Sequence, residues 1–288
     1  MFNENFISVS PKNELIKKLI PYYYFYKTFD SDFYKQFNYY PHYRLGLTVH
    51  KNSQVTWDSK SRITTHKKGQ TTILLTKNIK KRRVAKDYGI IDKICIAFEP
   101  LGLNCFIDVP LNAISTETLS YFDYFGEEFL AVCESVFNTS DVSQKIEVLD
   151  SFFISKYSKF SENRIIKAVE LLLKTSESLT IQTLSDLVGV NRKTLNRLFQ
   201  KHLCCSPKTF RQSIKFRKAF NQYQETDSFQ NLTHIAYDNN YYDQSEFINH
   251  FKKLTGQPPK SLFSSIEKMG SFDIYWTINE PRLSQITN

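Results

Sequence analysis

Apolar residues recur with a helical period near the C-terminal end of the chain, directly after a turn-like sequence. Phe247, Phe251 and Leu254 stand at i, i+4 and i+7, and this spacing predicts a helix with one buried stripe. Asp243 is placed to cap this helix, and Glu246 three residues later predicts a capping box. Polar residues at the start of the helix remain on its exposed side, where amide groups can pair with the edge of adenine in a DNA major groove.

A second stretch with the same plan lies upstream. Thr180 predicts the cap of a short helix, Gly189 predicts a turn, and Asn191 predicts the cap of a further helix. The buried stripe of that further helix is formed by Leu195, Leu198 and Phe199. The two stretches together predict a pair of helix-turn-helix units.

A longer helix is predicted between the two units. Ser206 supplies its cap, and Pro207 occupies the first position, where a missing N–H costs nothing. The apolar pattern continues to about Tyr223, and a helix of ~17 residues spans about 25 Å at 1.5 Å per residue. This length is compatible with two reading helices that enter successive major grooves about 34 Å apart.

The N-terminal part of the chain carries a different pattern. Short segments rich in aromatic and β-branched residues alternate with turn residues, which predicts an antiparallel sheet closed or folded into a barrel or sandwich. These segments are residues 22–26, 43–49, 54–57, 71–76 and 93–98. From about Thr116 the period becomes helical and predicts two helices, which either cover the end of a barrel or pair with a second copy of the chain.

Positive charge is concentrated in the C-terminal third. The chain carries a net charge of +9, and residues 161–265 contain 15 Lys and Arg against nine Asp and Glu. This balance suits an anionic partner such as DNA. A separate basic run at residues 77–86 lies between two predicted strands, and we interpret it as a solvated loop, with a secondary phosphate contact as the alternative.

Several classes of protein are disfavoured by the composition. The five cysteines form no CxxC pair, so we expect free thiols in a reducing cytoplasm, with no zinc site and no disulfide framework. No apolar run approaches ~18 residues, and the N-terminus lacks the features of a signal peptide, so a cytoplasmic protein without a membrane partner is expected.

Catalytic motifs are missing from the sequence as well. No nucleophile elbow or phosphate-binding loop occurs, and His42, His50 and His66 do not have the spacing of metal ligands. We therefore expect no enzyme, no catalytic residues, no metal and no cofactor. A dispersed enzymatic site inside the barrel is the less favoured alternative.

Residues 161–265 resemble the AraC/XylS family of bacterial transcription regulators. The matching positions fall in one register over residues 235–259: Ile235-Ala236, Asn240-Tyr241, Asp243-Gln244-Ser245, Phe247, Phe251-Lys252-Lys253, Gly256 and Pro258-Pro259. The turn Phe98-x-Pro100-x-Gly102, followed by an apolar segment and two helices, resembles the sensor-type N-terminal domain of some members. The resemblance implies a regulator of transcription, usually an activator that contacts RNA polymerase, and often a homodimer.

The resemblance also implies roles for individual residues. Base contacts are expected from Lys193, Asn196 and Arg197 in the first unit, and from Gln244, Ser245 and Asn249 in the second. Phosphate contacts are expected from Asn191, Arg192, Lys201, Lys252 and Lys253. Two positions depart from the family pattern: Asn240 replaces the usual turn glycine, and Asn249 replaces a frequent arginine.

The predicted fold class is α+β. An N-terminal antiparallel β-barrel, cupin-like and with helices, occupies residues 1–158 and senses a ligand, dimerises, or does both. An all-α DNA-binding domain of two helix-turn-helix units and a linking helix occupies residues 161–265, and residues 266–288 form a C-terminal tail. The barrel interior is an expected site for a small-molecule effector, lined by Tyr23, Tyr43, Trp57 and Phe98; a barrel that only oligomerises is the alternative.

Overall fold

Among the described residues, two six-stranded sheets form the N-terminal domain, and two strands of the second sheet come from the C-terminal tail. The computed structural model describes residues 4–77, 80–175, 179–225 and 232–278. The first sheet has the order β1-β2-β9-β4-β7-β10 and the second the order β11-β12-β3-β8-β6-β5. The strands are β1 (Glu4–Val9), β2 (Tyr22–Thr28), β3 (Tyr34–Tyr39), β4 (Leu45–Lys51), β5 (Ser53–Trp57), β6 (Ser61–His66), β7 (Thr72–Thr76), β8 (Arg83–Tyr88), β9 (Asp92–Phe98), β10 (Leu119–Tyr121), β11 (Glu267–Lys268) and β12 (Tyr275–Ile278).

The α+β class is confirmed, but the sheets do not close into a barrel. They face each other as a sandwich, since residues of both sheets share one core cluster that includes Tyr26, Phe37 and Trp276. The pairing is also not wholly antiparallel, because β6 runs parallel to β8. The basic run at 77–86 is a solvated loop only in part: Lys80, Lys81 and Arg82 are exposed, but Lys77 and Arg83 are buried and residues 83–86 belong to β8. Residues 78 and 79 lie outside the described residues.

Helices cover the outer face of the first sheet. They are α1 (Glu14–Leu19), α2 (Leu111–Ile114), α3 (Gly126–Asn138) and α4 (Val142–Lys156). Phe129 of α3 and Phe153 of α4 are fully buried in one cluster with Tyr23 and Phe98 of the sheet. Of the two alternatives left by the sequence, these helices pack on their own sheet.

The C-terminal domain consists of two helical units that share one long helix. Its helices are α5 (Asn163–Lys174), α6 (Ile181–Val188), α7 (Arg192–Leu203), α8 (Pro207–Glu225), α9 (Leu232–Asp238), α10 (Gln244–Thr255) and α11 (Pro259–Phe263). Ile214 of α8 lies in the core of the first unit, and Phe216 and Phe220 of the same helix lie in the core of the second. The linking helix therefore belongs to both hydrophobic cores.

The C-terminal tail returns to the N-terminal domain. After α11 the chain forms β11 and β12, and β12 pairs with β3 through Thr277 and Ile278. Sequence reasoning assigned no structure to this segment. Residues 279–288 of the expected tail lie outside the described residues.

Candidate nucleic-acid interface

The first reading helix is α7, and its capping follows the sequence prediction. The turn before it contains Gly189 in the left-handed conformation at φ 76°. The side chain of Asn191 accepts a hydrogen bond from the Thr194 amide at 2.8 Å. The side-chain oxygen of Asn191 thus caps the helix, and the side-chain NH₂ group remains to donate to a phosphate.

The predicted base-reading residues of α7 lie on its exposed side. Lys193, Asn196 and Arg197 are all exposed, at spacings of three and four residues that place them on one face. The opposite stripe of Leu195, Leu198 and Phe199 is buried, as predicted. The expected phosphate contacts Arg192 and Lys201 are exposed at the two ends of the helix.

The second reading helix is α10, which follows a turn built on Asn240. This residue has φ 57°, the left-handed conformation that asparagine tolerates best among non-glycine residues. Lys215 of α8 donates to the Asn240 carbonyl oxygen at 2.8 Å and so fixes the turn to the linking helix. The substitution of the family glycine thus leaves the turn intact.

The predicted capping box at α10 forms only in part. Asp243 Oδ1 accepts from the Glu246 amide at 2.7 Å, as expected for the N-cap. Glu246 Oε2, however, accepts from the amide of Tyr242 at 2.7 Å rather than from that of Asp243. The extended backbone of Asp243, with φ −152° and ψ 175°, accompanies this shift by one residue.

The reading face of α10 is polar and exposed. Gln244, Ser245 and Asn249 are exposed, as are Lys252 and Lys253 in the last turn. Glu246 lies among them, and its carboxylate is 3.4 Å from the ammonium group of Lys215. This ion pair reduces the repulsion that a free carboxylate would exert on DNA phosphates.

Sequence reasoning missed Tyr242, which directly precedes the cap of α10. Its position is that of a hydrophobic staple against Phe247, an arrangement that would bury the ring. Instead Tyr242 is 89% exposed, while Phe247 is fully buried. An aromatic ring is therefore presented beside the reading face of the second unit.

A second candidate site is a cavity of about 150 Å³ between the two sheets. Its cationic lining consists of Arg62 and Lys93 on the strands, Arg44 and Lys77 next to strand ends, and Arg217 on α8. Tyr22, Tyr24, Tyr39 and Tyr40 supply much of its aromatic wall. The cavity is thus polar, aromatic and rich in cations.

The four residues expected to line such an interior lie elsewhere. Tyr23 and Phe98 point to the opposite face of the first sheet, in the core with α3 and α4. Tyr43 packs against the core of the first helix-turn-helix unit, and Trp57 packs against Tyr121 with ring centroids 4.7 Å apart. Because side chains alternate along a strand, the neighbours Tyr22 and Tyr24 face the cavity in place of Tyr23.

Asp87 balances part of the positive charge near this cavity. Its carboxylate is 3.2 Å from both Arg62 and Lys93. Burial raises the Asp87 pKa, but Lys93 and Arg62 outweigh burial and hold the pKa at about 2. Burial lowers the pKa of Lys93 to about 8, with Asp87 acting in the opposite direction.

Two cavity-lining cations keep unpaired donors. Lys77 Nζ and Arg62 Nε are buried and have no hydrogen-bond partner within the described parts of the chain. A buried donor without a partner is destabilising. Both donors belong to residues that line the cavity, whose positive charge favours an anionic group.

Comparison with known proteins identifies the C-terminal domain. Residues 184–265 match the family model of a helix-turn-helix domain, of AraC type. The expected AraC-type domain in the C-terminal part of the chain is thereby confirmed, and it points to a transcription regulator rather than an enzyme. No curated protein matches the chain.

Solved structures that the chain matches include two kinds of protein. A transcriptional regulator with an AraC-type DNA-binding domain from Chromobacterium violaceum is 22% identical, covers 32% of this chain and 81% of its own, and has a TM-score of 0.30. Unsaturated-fatty-acid-bound ToxT from Vibrio cholerae is 13% identical, covers 91% of this chain and 97% of its own, and has a TM-score of 0.48. Across the described ranges, no helix combines the length and apolar character needed to cross a membrane.

Proposed function

We propose that this chain, whose C-terminal part carries an AraC-type helix-turn-helix domain, is a sequence-specific transcription regulator that inserts α7 and α10 into successive major grooves of DNA. The proposal rests on one observation: the same helix-turn-helix arrangement occurs twice in the C-terminal domain. Each helix is capped by a polar residue, buries one apolar stripe, and presents amide or basic side chains on its exposed face. The linking helix α8 holds both units, because it belongs to both cores.

The length of α8 supports simultaneous reading of two grooves. Its 19 residues correspond to about 28 Å at 1.5 Å per residue. Successive major grooves on one face of B-DNA are about 34 Å apart. A helix of this length can therefore separate two reading units by roughly one turn of DNA.

The exposed side chains divide into two roles. Arg197 and Lys193 suit guanine, and the amides of Asn196, Gln244 and Asn249 suit adenine, with Ser245 able to accept or donate at either. Asn191, Arg192, Lys201, Lys252 and Lys253 contact phosphates, which adds affinity without sequence information. The second unit has amide and hydroxyl readers but no arginine on its reading face, and we infer that it prefers A·T-rich sequence.

The protein acts in the bacterial cytoplasm, where its DNA is found. By analogy with the family, we infer that it activates transcription through contact with RNA polymerase and that it works as a homodimer. Reading DNA and recruiting polymerase need no catalytic residue, which agrees with the lack of an enzymatic motif in the sequence.

The N-terminal cavity supports a small-molecule effector as the regulating signal. Its aromatic wall favours a flat or apolar body, and the unpaired donors of Lys77 and Arg62 favour an anionic group. An effector there would touch Arg217 of the linking helix as well as both sheets. A ligand-independent regulator whose N-terminal domain only oligomerises is the second candidate.

A thermal-stability assay separates these two candidates. Benzoate and 2-naphthoate are compared with the neutral benzamide and 2-naphthamide, which have similar shape without the charge. Stabilisation by the acids that is lost in Lys77→Met supports the effector site. Equal melting temperatures with every compound favour the oligomerising domain.

Selection of bound duplexes from a random DNA library tests the main proposal. We expect a recovered site with two separate blocks of preferred bases, roughly one helical turn apart. Recovery of no preferred sequence would refute sequence-specific reading. A single block would show that only one unit reads DNA.

A further inference from the structure

The two faces of strand β12 pack into the cores of different domains. On one face, Trp276 is 4% exposed and stacks on Phe37 of the second sheet with ring centroids 4.2 Å apart. On the other face, Tyr275 is 3% exposed and lies 4.9 Å from Phe220 of the linking helix. The strand thus completes the core of the N-terminal sandwich and the core of the second reading unit at once.

Asp273, two residues before Tyr275, contacts the same two domains, one through its carboxylate and the other through its backbone carbonyl. Its carboxylate accepts from Arg44, which directly precedes β4, at 2.8 and 2.9 Å and from His42 Nε2 at 3.0 Å. Its backbone carbonyl lies 3.4 Å from the guanidinium of Arg217, which also donates to the Pro41 carbonyl oxygen at 2.7 Å. Arg44 belongs to the sandwich and Arg217 to α8, so Asp273 stands at the junction between them.

The turn before β12 packs closely against β1. Gly270 has φ 68°, and a Cβ atom there would collide with the hydroxyl of Ser8. The amide of Ser271 donates to that hydroxyl at 2.9 Å. We call residues 266–278 the strap; Met269, Phe272, Ile274 and Trp276 within it pack on the core of the N-terminal sandwich.

The strap contacts the back of the second reading unit and leaves its reading face open. Gln244, Ser245 and Asn249 are exposed while the strap is in place. Tyr275 contacts instead the buried side of α8, in a cluster with Phe263 of α11. The described part of the strap does not cover the DNA-binding face, so it can act on DNA binding only through the position of the second unit.

We propose that the strap fixes the second reading unit to the N-terminal domain and that Asp273 is a positioning residue, which holds the two reading helices at the separation that α8 spans. This inference rests on the proposed DNA-binding function. A protein that holds its two DNA-binding units at a fixed distance loses little conformational entropy when both bind DNA. If the second unit moves freely, each binding event must also fix its position, which costs free energy. The strap should therefore sharpen the preference for one spacing of half-sites.

The strap contains one of only two tryptophans in the chain, which gives a direct probe of its position. In a Trp57→Phe background, Trp276 is the sole tryptophan, and its buried ring emits at short wavelength. The test variant is Asp273→Asn, which keeps the size of the side chain and removes its charge. The control is Glu267→Gln, the same change at an exposed position of the same segment.

DNA binding is measured on duplexes whose half-sites are separated by the selected distance, by one or two base pairs more or less, or reduced to a single half-site. We expect the parent and Glu267→Gln to prefer the selected spacing by at least about tenfold, as is typical of linked sites with matched geometry. Asp273→Asn should shift Trp276 emission to longer wavelength and flatten the spacing preference. Its affinity for the single half-site of the first unit should not change.

Two further variants keep the inference falsifiable. Asp273→Glu retains the carboxylate and should recover much of the spacing preference. Tyr275→Ala removes the contact with α8 and leaves Trp276 seated, so it should flatten the spacing profile without a change in emission.

Other outcomes would overturn the inference. An unchanged emission and spacing profile in Asp273→Asn would show that Asp273 does not hold the strap. An equal loss of affinity on every duplex, single half-sites included, would show a folding defect, and tighter binding would show an inhibitory tail. If the parent itself prefers no sequence, the proposed function fails, while the emission of Trp276 still reports whether Asp273 holds the strap.

Discussion

The backbone amide of Arg82 donates a 2.6 Å hydrogen bond to the carbonyl oxygen of Leu254 in the last turn of the second reading helix. The first reading helix is held in a similar way, since Asn104 Nδ2 donates to the His202 carbonyl oxygen at 3.1 Å. Both contacts use carbonyl groups that a helix leaves unpaired at its C-terminal end. The N-terminal domain thus forms a hydrogen bond to the C-terminal end of each reading helix.

The Arg82 contact predicts an effect of Gly256, the residue that ends α10. Gly256 has φ 78°, and a Cβ atom there would lie 3.0 Å from Arg82 Nε. Gly256→Ala should destabilise the protein by about 1–2 kcal/mol through backbone strain alone, since the arginine can move aside. Gly69→Ala is the matched control, because Gly69 has φ 79° with no atom within 4 Å. Chemical unfolding should show similar losses for both variants, while DNA binding by the second unit should weaken only in Gly256→Ala.

Arg197 tests direct reading of a base. Arg197→Ala should weaken binding to the selected site by about 1–3 kcal/mol and relax the preference at one base pair. Lys18→Ala, a loss of one exposed charge on α1, serves as the control for a general electrostatic effect. Fluorescence anisotropy with the four base-pair variants at each position gives the measurement. Uniform weakening on all four would place Arg197 on a phosphate instead.

Lys252 tests the opposite role, contact with phosphate. Lys252→Ala should weaken binding to specific and nonspecific duplexes by the same factor and should reduce the salt dependence, as a log–log slope, by about one. Titrations at several salt concentrations measure both quantities. A change in base preference with an unchanged slope would contradict the assignment.

The two reading units were predictable because their signals are local. A cap, a turn residue and an apolar stripe all fall within one short window, as at Asn191 and Leu195. The cavity lining was not predictable, because residues 22–26 are aromatic throughout and give no alternation from which to choose between Tyr22 and Tyr23. The position of the strap could not be predicted from the sequence, because its contacts are with residues distant in the chain. Tyr40 and Thr277, for example, are 237 positions apart and are hydrogen-bonded through their hydroxyls.

Asn240 tests the backbone requirement of the second turn. With φ 57° at this position, Asn240→Ala should destabilise the protein by about 1–2 kcal/mol, because a Cβ-bearing residue without a short polar group disfavours the left-handed region. Asn240→Gly should be as stable as the parent or slightly more so. Unfolding midpoints of the two variants compare directly, since both remove the same side-chain amide. Equal destabilisation by alanine and glycine would show that the amide contact to the Asp238 carbonyl, at 3.4 Å, matters more than the backbone angle.

Buried histidines should make the protein sensitive to mild acid. Burial, with Arg217 next, lowers the His42 pKa to about 3, and burial, with Arg62 next, lowers the His50 pKa well below its usual value. Both rings are therefore neutral in the folded protein, whereas in the unfolded chain they take up protons below about pH 6.5.

The resulting stability is fully present above that pH and is lost as the pH falls, by up to about 1.4 kcal/mol per pH unit for each ring. Asp87 and Asp273 do not contribute in this window, because unfolded carboxylates protonate only near pH 4.

His50→Leu isolates one ring, since both nitrogens of His50 are buried without a partner within the described residues. This variant should be at least as stable as the parent at pH 5, and its stability should fall less steeply between pH 6.5 and 5. His66→Gln, at an exposed position, should follow the parent, and urea unfolding at each pH makes the comparison. An identical slope in His50→Leu and the parent would show that His50 is already protonated in the fold.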